Sequence, residues 1–593
     1  MSSSDDSIEE LAKEWLRVDQ DEKTRDEIYQ LLVQNKRDEL KQRLKPRITF
    51  GTAGLRARME AGFARMNAVT VIQATQGLAE YILETNPESK RQGVVIGRDA
   101  RHNSERFARL AAAVFLTKRI KVWWYELNVH TPLVPFGVKK LNAAAGLMIT
   151  ASHNPAQDNG YKVYWSNGCQ IIPPHDTGIA AAIDRNPEPS TWDTSAVDGN
   201  LLVEGALGLV KDAYFDAVRL SCRHVTSEPA KASSTSPVRF VYTPMHGVGL
   251  PYMSSVVESL KMSENMVVVP EQAEPDPDFP TVKFPNPEEK GALDLAIRTA
   301  DENGITLILA SDPDADRLAV AAKTSESGWH QFTGNQLGIL LASHIFDTWQ
   351  SSSAPKEGKT LAMLASTVSS NMLAAMARAE SFQFVETLTG FKWLGNRSID
   401  LIQEGYDVQF AFEEAIGYMV PGVVLDKDSL AAGAAFLTAV GLWQTRGLSP
   451  WAKLQELYEK YGYFEDANTY LVSPEPATTD AVFKAIRALG KPYPAKVGSR
   501  KVLRWRDLTE GYDSGTDDKI PTLPVSKSSQ MITCDLGGEV RFTARGSGTE
   551  PKIKLYIECR GKSADEAKRG ANEVLQDLLA EWFQPEKYGL KLA

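Results

Sequence analysis

The chain has 593 residues, 43% hydrophobic and 24% charged, with a formal net charge of −10; one core rarely outgrows roughly 250–300 residues, so several domains are expected. Mild acidity, and the lack of any basic run interleaved with aromatics, exclude a general nucleic-acid surface but not small anions, which need only a local positive pocket. The cysteines Cys169, Cys222, Cys534 and Cys559 form no C-x-x-C pair, which excludes a structural zinc motif, and no charge-free apolar run reaches the ~18–20 residues of a membrane span.

Residues 8–44 place Leu11, Trp15, Ile28, Leu31 and Leu32 at helical spacing and predict one or two N-terminal helices, ended by Pro46. Strands are predicted at 93–99, 120–125 and 144–149, with a helix at 104–116 between the first two. A helix at 209–220 runs toward a Ser-, Ala-, Lys- and Pro-rich stretch, 226–237, that reads as a domain boundary. Beyond it come strands at 238–242, 266–269 and 305–309 with helices at 252–260 and 291–300. A third unit has helices at 335–346, 371–378 and 429–444 and strands at 382–386 and 408–412. The final segment has helices at 451–461, 479–488 and 563–583, strands at 539–543 and 553–558, and a polar loop at 510–529 that reads as surface. Strand–helix alternation predicts three similar α/β units, and the last unit reads as α+β. The expected divisions are a helical extension, 1–45, and domains at 46–208, 209–325, 326–450 and 451–593.

Four loops carry the chemistry. In 148–155, MITASHNP, Ser152 leaves a short strand with its hydroxyl exposed; His153 adjoins it, Asn159-Gly160 is read as a tight turn, and Lys162 follows. This arrangement joins a phosphoryl acceptor, proton-transfer candidates and a cation. A serine hydrolase is the rival, but the loop lacks the G-x-S-x-G elbow. In 311–317, SDPDADR, Asp312, Asp314 and Asp316 alternate so that their oxygens can converge. Crowded carboxylates repel unless a cation joins them, and hard oxygen ligands suit Mg²⁺, with a phosphate oxygen on Ser152 as a further ligand. Calcium is the second choice of ion, without the EF-hand ligand series. Arg317 can balance these charges or hold a phosphate oxygen.

Residues 412–417, FEEAIG, put Glu413 at a strand end, where a carboxylate accepts from vicinal sugar hydroxyls. Residues 545–551, RGSGTEP, offer Arg545, Ser547, the backbone of Gly548, and Thr549 as a phosphate cradle, with Lys554 in support; it is not a Walker A loop. Residues 49–56, TFGTAGLR, can bring Arg56 beside a transferring phosphoryl group, and Thr389 and Gly390 are candidate sugar contacts.

Taken together, these loops are similar to those of the α-D-phosphohexomutase superfamily, and most of all to its phosphopentomutase and type-2 phosphoglucomutase branch, over residues from Pro46 to the C-terminal helix. The resemblance implies four domains around a central cleft, the last and smaller one able to rotate over the substrate. It implies that Ser152 is the phosphoserine, that Asp312, Asp314 and Asp316 bind Mg²⁺, and that Glu413 contacts sugar hydroxyls. It also implies that Arg545, Ser547, Gly548 and Thr549 clamp the non-transferred phosphate, and that Arg56, His153, Lys162 and Arg317 support transfer. Many hexose-phosphate mutases have serine where this chain has Ala415, a departure that points to relaxed selectivity toward a pentose.

The expected reaction interchanges sugar 1-phosphate and terminal-phosphate isomers, ribose 1-phosphate with ribose 5-phosphate and also glucose 1-phosphate with glucose 6-phosphate. It would pass through a sugar 1,6-bisphosphate or pentose 1,5-bisphosphate. A glucose 1,6-bisphosphate synthase and a catalytically silent sugar-phosphate-binding protein are the alternatives. Small phosphosugars are the expected partners, neither nucleic acid nor membrane is expected, and the oligomeric state is open. The N-terminus does not resemble a secretion signal, so the cytoplasm is the expected location, with passage into the nucleus left open.

Overall fold

The computed structural model describes residues 3–222, 238–324, 328–352, 358–547 and 551–592, with side chains from Ile8 onward. The predicted boundary at 226–237 and the cradle residues Gly548 and Thr549 lie outside them. The chain forms two compact units, residues 1–357 with 391–447, and residues 358–390 with 448–593.

The first unit begins with three helices, Ser3–Val18, Glu22–Val33 and Arg37–Leu44, rather than one or two. The Asp21 side chain caps the second by accepting from Lys23 N, which divides a pattern that looks continuous in sequence. These helices bury Trp15, Ile28, Leu40 and Leu44 together with Phe63.

The first sheet contains β1 (Leu55–Arg58), β2 (Val94–Arg98), β3 (Val122–Trp124), β4 (Ala145–Ile149), β5 (Asp158–Trp165) and β6 (Val203–Gly205), in the order β1-β5-β4-β2-β3-β6. β4, β2, β3 and β6 are mutually parallel, and β5 and β1 are antiparallel additions. Every residue of β2 and β4 is buried, as strands covered by helices on both faces require. Asn159 and Gly160 form no turn: both sit inside β5, with Gly160 opposite Arg56. A Cβ on Gly160 would lie 2.5 Å from Thr150 O, so here the glycine serves close strand approach.

The second sheet runs β11-β10-β9-β7-β8, from β7 (Phe240–Thr243), β8 (Met266–Val268), β9 (Leu307–Ser311), β10 (Leu318–Thr324) and β11 (Gly328–Gln331). β7, β8 and β9 are parallel, and β9–β10 is an antiparallel hairpin whose connection is the aspartate loop. The unit also contains helices Ala68–Thr85 and Ser104–Thr117 beside the first sheet, helices Gly334–Ser351, Phe391–Gln403 and Ser429–Thr445, and the antiparallel pair Asp407–Glu413 and Gly417–Met419.

The second unit has parallel strands Leu361–Ser366 and Gln383–Thr387 joined through helix Met372–Glu380. It also has an antiparallel sheet built on Arg500–Asp507, Met531–Leu536, Val540–Gly546, Lys552–Gly561 and Thr469–Val472, and helix Ala564–Asp577. The helix predicted over 563–583 changes pitch, ending in a π-helical segment, Leu578–Phe583. The 510–529 segment is not wholly surface: it contributes the strand Tyr512–Asp513, and Leu523 is buried with Val368, Leu508 and Met531. The chain thus carries three α/β sets of elements and a C-terminal α+β set. Among the described residues, no helix is long and apolar enough to cross a membrane.

Candidate active site

Ser152 lies just past the end of β4, 1% exposed, with φ +54°. Ala315 in the aspartate loop (φ +50°) and Ile416 in the Glu413 loop (φ +51°) share that left-handed backbone. It costs roughly 1–3 kcal/mol for a residue with a Cβ and persists only where the surroundings enforce it. For Ser152 the enforcement is visible. Its N–H donates to Thr150 Oγ1 at 2.9 Å, and the Arg101 guanidinium donates to the carbonyls of Ser152, Asn154, Pro155 and Asp158 at 2.6, 2.6, 2.8 and 3.2 Å. Arg101 is buried beside Asp99, 3.3 Å away.

The Ser152 hydroxyl donates to Asp312 Oδ2 at 2.9 Å and lies 3.2 Å from His153 Nδ1. Asp312, Asp314 and Asp316 are fully buried, and each offers an oxygen within 4.8 Å of the others. Gly247 makes room for their loop, because a Cβ there would lie 2.3 Å from the Pro313 backbone. Asp312 Oδ1 accepts from the backbone N–H groups of Asp316 and Arg317 at 3.1 and 3.0 Å. Asp314 Oδ2 accepts from Thr131, Lys162 and Thr150 at 2.6, 2.8 and 3.3 Å. Asp316 Oδ2 accepts from Lys427 at 2.5 Å and Lys162 at 2.9 Å.

Burial pushes the Asp312 carboxyl well above its usual range, and repulsion from Asp314 and Asp316 adds to this. Burial also pushes on Asp314, but Lys162 and Lys427 outweigh it and hold that carboxylate down. Lys162 is raised despite burial, because Asp314 and Asp316 keep it charged. Burial and then the positive charges of Arg317 and Arg56 lower His153, leaving a neutral imidazole at neutral pH. Among the described residues, Asp314 Oδ1 and Asp316 Oδ1 are buried without a hydrogen-bond partner. Two orphaned oxygens in a convergent, all-oxygen donor set fit a small hard divalent cation such as Mg²⁺, which would be held by these carboxylates.

Arg56 in β1 donates to Asn154 Oδ1 at 3.3 Å. Arg317 Nε lies 4.0 Å from Asp312 Oδ2 and 3.9 Å from Asp316 Oδ1, and its Nη1 reaches the carbonyl of Ala415 at 3.5 Å. The Glu413 turn is fastened to the aspartate hairpin a second time by Leu318 N donating to Ile416 O at 3.1 Å. Ser152, His153, Lys162, Arg56, the three aspartates, Arg317 and Glu413 therefore occupy one neighbourhood of the first unit. Lys392, beside the predicted sugar contacts, hydrogen-bonds Thr52 there.

Thr389 and Gly390, like Arg545, Ser547 and Lys554, belong to the second unit. Arg545 and Lys554 face each other across the antiparallel strands Val540–Gly546 and Lys552–Gly561. Arg545 donates to the Tyr556 hydroxyl at 3.3 Å, and Ser547 N donates to Lys552 O at 2.8 Å, which closes the base of the hairpin. In the same unit Arg506, almost wholly buried, donates to Glu386 at 2.8 and 3.1 Å.

Sequence reading missed Thr131, Thr150, Arg101 and Lys427. Arg101 left a trace, since three charged residues, Arg98, Asp99 and Arg101, gather where a buried strand ends and need buried partners there. Thr131 and Lys427 left none, being far along the chain from the aspartates they touch.

Residues 47–190, 212–327 and 333–461 match the families described as phosphoglucomutase/phosphomannomutase, alpha/beta/alpha domains I, II and III. The chain is 49% identical over 592 residues to the probable phosphoribomutase of Schizosaccharomyces pombe, covering 99% of this chain and 100% of that one. It is 42% identical to the Homo sapiens phosphopentomutase, covering 99% and 98%. It is 40% identical to the Homo sapiens glucose 1,6-bisphosphate synthase, covering 99% and 96%. Among solved structures, the open form of the Paramecium phosphoglucomutase parafusin superposes with a TM-score of 0.65 at 17% identity, covering 90% of this chain and 96% of that one.

Proposed function

The chain belongs to the α-D-phosphohexomutase superfamily as a magnesium-dependent isomerase, and on that premise we propose that it interconverts pentose 1- and 5-phosphates through phosphorylated Ser152, using glucose 1- and 6-phosphates as well. The observation that carries this reading is the Ser152 hydroxyl, held 2.9 Å from Asp312 at the edge of a buried three-carboxylate cluster. The names of the relatives at 49% and 42% identity favour a pentose. We assign the phosphoserine loop to domain 46–208, the carboxylates to 209–325, the sugar contacts Glu413, Thr389 and Gly390 to 326–450, and the phosphate cradle of Arg545, Ser547, Gly548, Thr549 and Lys554 to 451–593.

In the first half-reaction the terminal sugar hydroxyl oxygen bonds the phosphorus of phospho-Ser152 while the phosphorus–Oγ bond breaks. The hydroxyl proton leaves the sugar and Ser152 Oγ gains one. We assign proton movement at Ser152 to His153, whose Nδ1 lies 3.2 Å from Oγ: its neutral imidazole takes up the proton that leaves the sugar hydroxyl, and the imidazolium so formed gives it to Oγ as the phosphorus–Oγ bond breaks. Lys162, kept charged by two carboxylates, acts instead as a fixed cation, with Arg56 and Arg317 in support. Bound Mg²⁺ supplies charge neutralisation for the phosphoryl oxygens. The sugar bisphosphate then turns, and its other phosphate returns to Ser152, releasing the isomeric monophosphate.

Intact-protein mass spectrometry after exposure to ribose 1,5-bisphosphate or glucose 1,6-bisphosphate tests the nucleophile. One phosphoryl group should be gained by the wild type and none by S152A, and equal gain by both would refute the assignment. The bisphosphate-synthase relative supports a second reading, in which the bisphosphate is released instead of retained. Accumulation of labelled bisphosphate faster than of isomerised monophosphate would favour it.

A further inference from the structure

We propose that Phe284 is a positioning residue for the reaction above, its ring holding the His153 imidazole toward Ser152 from a loop, 276–289, that is fastened to the supports of the Ser152 turn. This inference rests on the phosphoserine reading and adds to it a group that touches neither substrate nor phosphate.

Phe284 is 37% exposed, so its ring is not committed to the hydrophobic core. Its ring meets His153 edge to face, with centroids 6.0 Å apart and planes at 70°. This is a favourable aromatic geometry and one that restricts imidazole rotation. The other ring atom that matters, His153 Nδ1, lies 3.2 Å from Ser152 Oγ, so a rotated imidazole would leave the nucleophile without its proton partner.

The loop carrying Phe284 is anchored at several points. Asp278 Oδ1 pairs with His102 Nε2 at 2.8 Å, and the Arg101 guanidinium lies over the Phe279 ring at 5.0 Å. Arg101 is the residue whose fork holds the carbonyls of Ser152, Asn154, Pro155 and Asp158, and the His102 carbonyl accepts from Asn159 in β5. Further along, Thr281 Oγ1 pairs with His246 Nε2 at 2.8 Å, and Pro287 O accepts from Gln331 at 2.8 Å. The loop therefore takes one of its bearings from Arg101, the residue that holds the Ser152 turn, and another from His102 beside β5, which fixes Phe284 relative to His153. A side chain serving only the hydrophobic core would be buried with aliphatic neighbours and would need no such register.

The test is single-turnover transfer from isotopically labelled phospho-Ser152 to a sugar monophosphate, followed by rapid quench. Phe284→Ala should lower the saturating rate about tenfold and leave the half-saturating sugar concentration nearly unchanged, as loss of orientation rather than of binding. Phe284→Tyr should restore most of the rate, and Phe284→Leu should fall between, giving a second variant if the alanine protein folds poorly. In a His153→Ala background, Phe284→Ala should cost nothing further. A wild-type rate for F284A, or an equal loss with and without His153, would overturn the inference. Failure of the wild type to carry label on Ser152 would instead overturn the phosphoserine reading and this inference with it.

Discussion

Lys427 donates to Asp316 Oδ2 at 2.5 Å, and Lys162 donates to the same oxygen at 2.9 Å from another part of the chain. Two ammonium groups on one buried carboxylate oppose an incoming cation as well as balancing the carboxylates. A unit charge at about 4 Å is worth roughly 1–4 kcal/mol for effective dielectrics of 80 to 20, so removing one should be readily measurable. Lys427→Met is expected to lower the Mg²⁺ concentration for half-maximal binding about tenfold in isothermal titration. Lys162→Met should tighten Mg²⁺ further, because Lys162 contacts both Asp314 and Asp316, yet slow transfer by about 100-fold. An unchanged Mg²⁺ midpoint in K427M would show that the ammonium does not compete.

Asp314 presents one oxygen to Thr131, Lys162 and Thr150 and leaves Oδ1 without a hydrogen-bond partner among the described residues. Asp314→Asn keeps the shape but removes the charge that Lys162 and the metal share. Turnover should fall by more than about 100-fold. In thermal melts Mg²⁺ should raise the wild-type Tm, as a ligand of the folded state must, and leave D314N unmoved. Chelation should abolish wild-type turnover, and Mg²⁺ should restore it. Equal Tm gains in the two proteins would place the cation elsewhere.

Much of the centre was legible because its parts are local. The aspartates lie two residues apart in one hairpin loop, and Ser152 directly follows an apolar strand. What escaped came from distant segments: Thr131 meets Asp314 across 183 residues and Lys427 meets Asp316 across 111. Nothing in their own surroundings marks a hydroxyl or an ammonium as a carboxylate partner. Asn159-Gly160 misled for a physical reason, since a dipeptide suited to a turn equally suits a strand whose neighbours press on its backbone. The alternation of strands and helices likewise conveyed the fold class, whereas the split of the N-terminal helices depended on a capping contact at Asp21 and a left-handed residue at Asn35.

Glu558 in the second unit accepts from Asn371 N at 2.8 Å and Asn371 Nδ2 at 3.1 Å, yet burial raises its carboxyl to about 7. A carboxyl raised above its unfolded value binds its proton more tightly in the folded state. Its contribution is therefore fully present below about pH 4.5, declines as pH rises, and is gone above about pH 7. Glu558→Gln should flatten that part of the stability profile. The two proteins should melt alike near pH 4.5, and E558Q should be the more stable at pH 8, by at most about 3 kcal/mol. Denaturant titration at the two pH values checks this, and a constant difference between them would rule out the linkage.

Ala415 lies in the turn between Glu413 and Gly417, where its carbonyl accepts from Arg317 at 3.5 Å and its side chain offers no hydrogen bond. If Glu413 contacts sugar hydroxyls, the neighbouring position bears on which sugar is preferred. A serine there adds a hydroxyl that a hexose has more groups to satisfy than a pentose. Since the turn is already pinned by Arg317 and by Leu318 N on Ile416 O, one added oxygen should leave the backbone in place. Ala415→Ser is therefore expected to raise kcat/KM for glucose 1-phosphate relative to ribose 1-phosphate about tenfold, the scale of one gained hydrogen bond. Paired assays on both substrates read the ratio directly, and an unchanged ratio would mean that selectivity is set by other contacts.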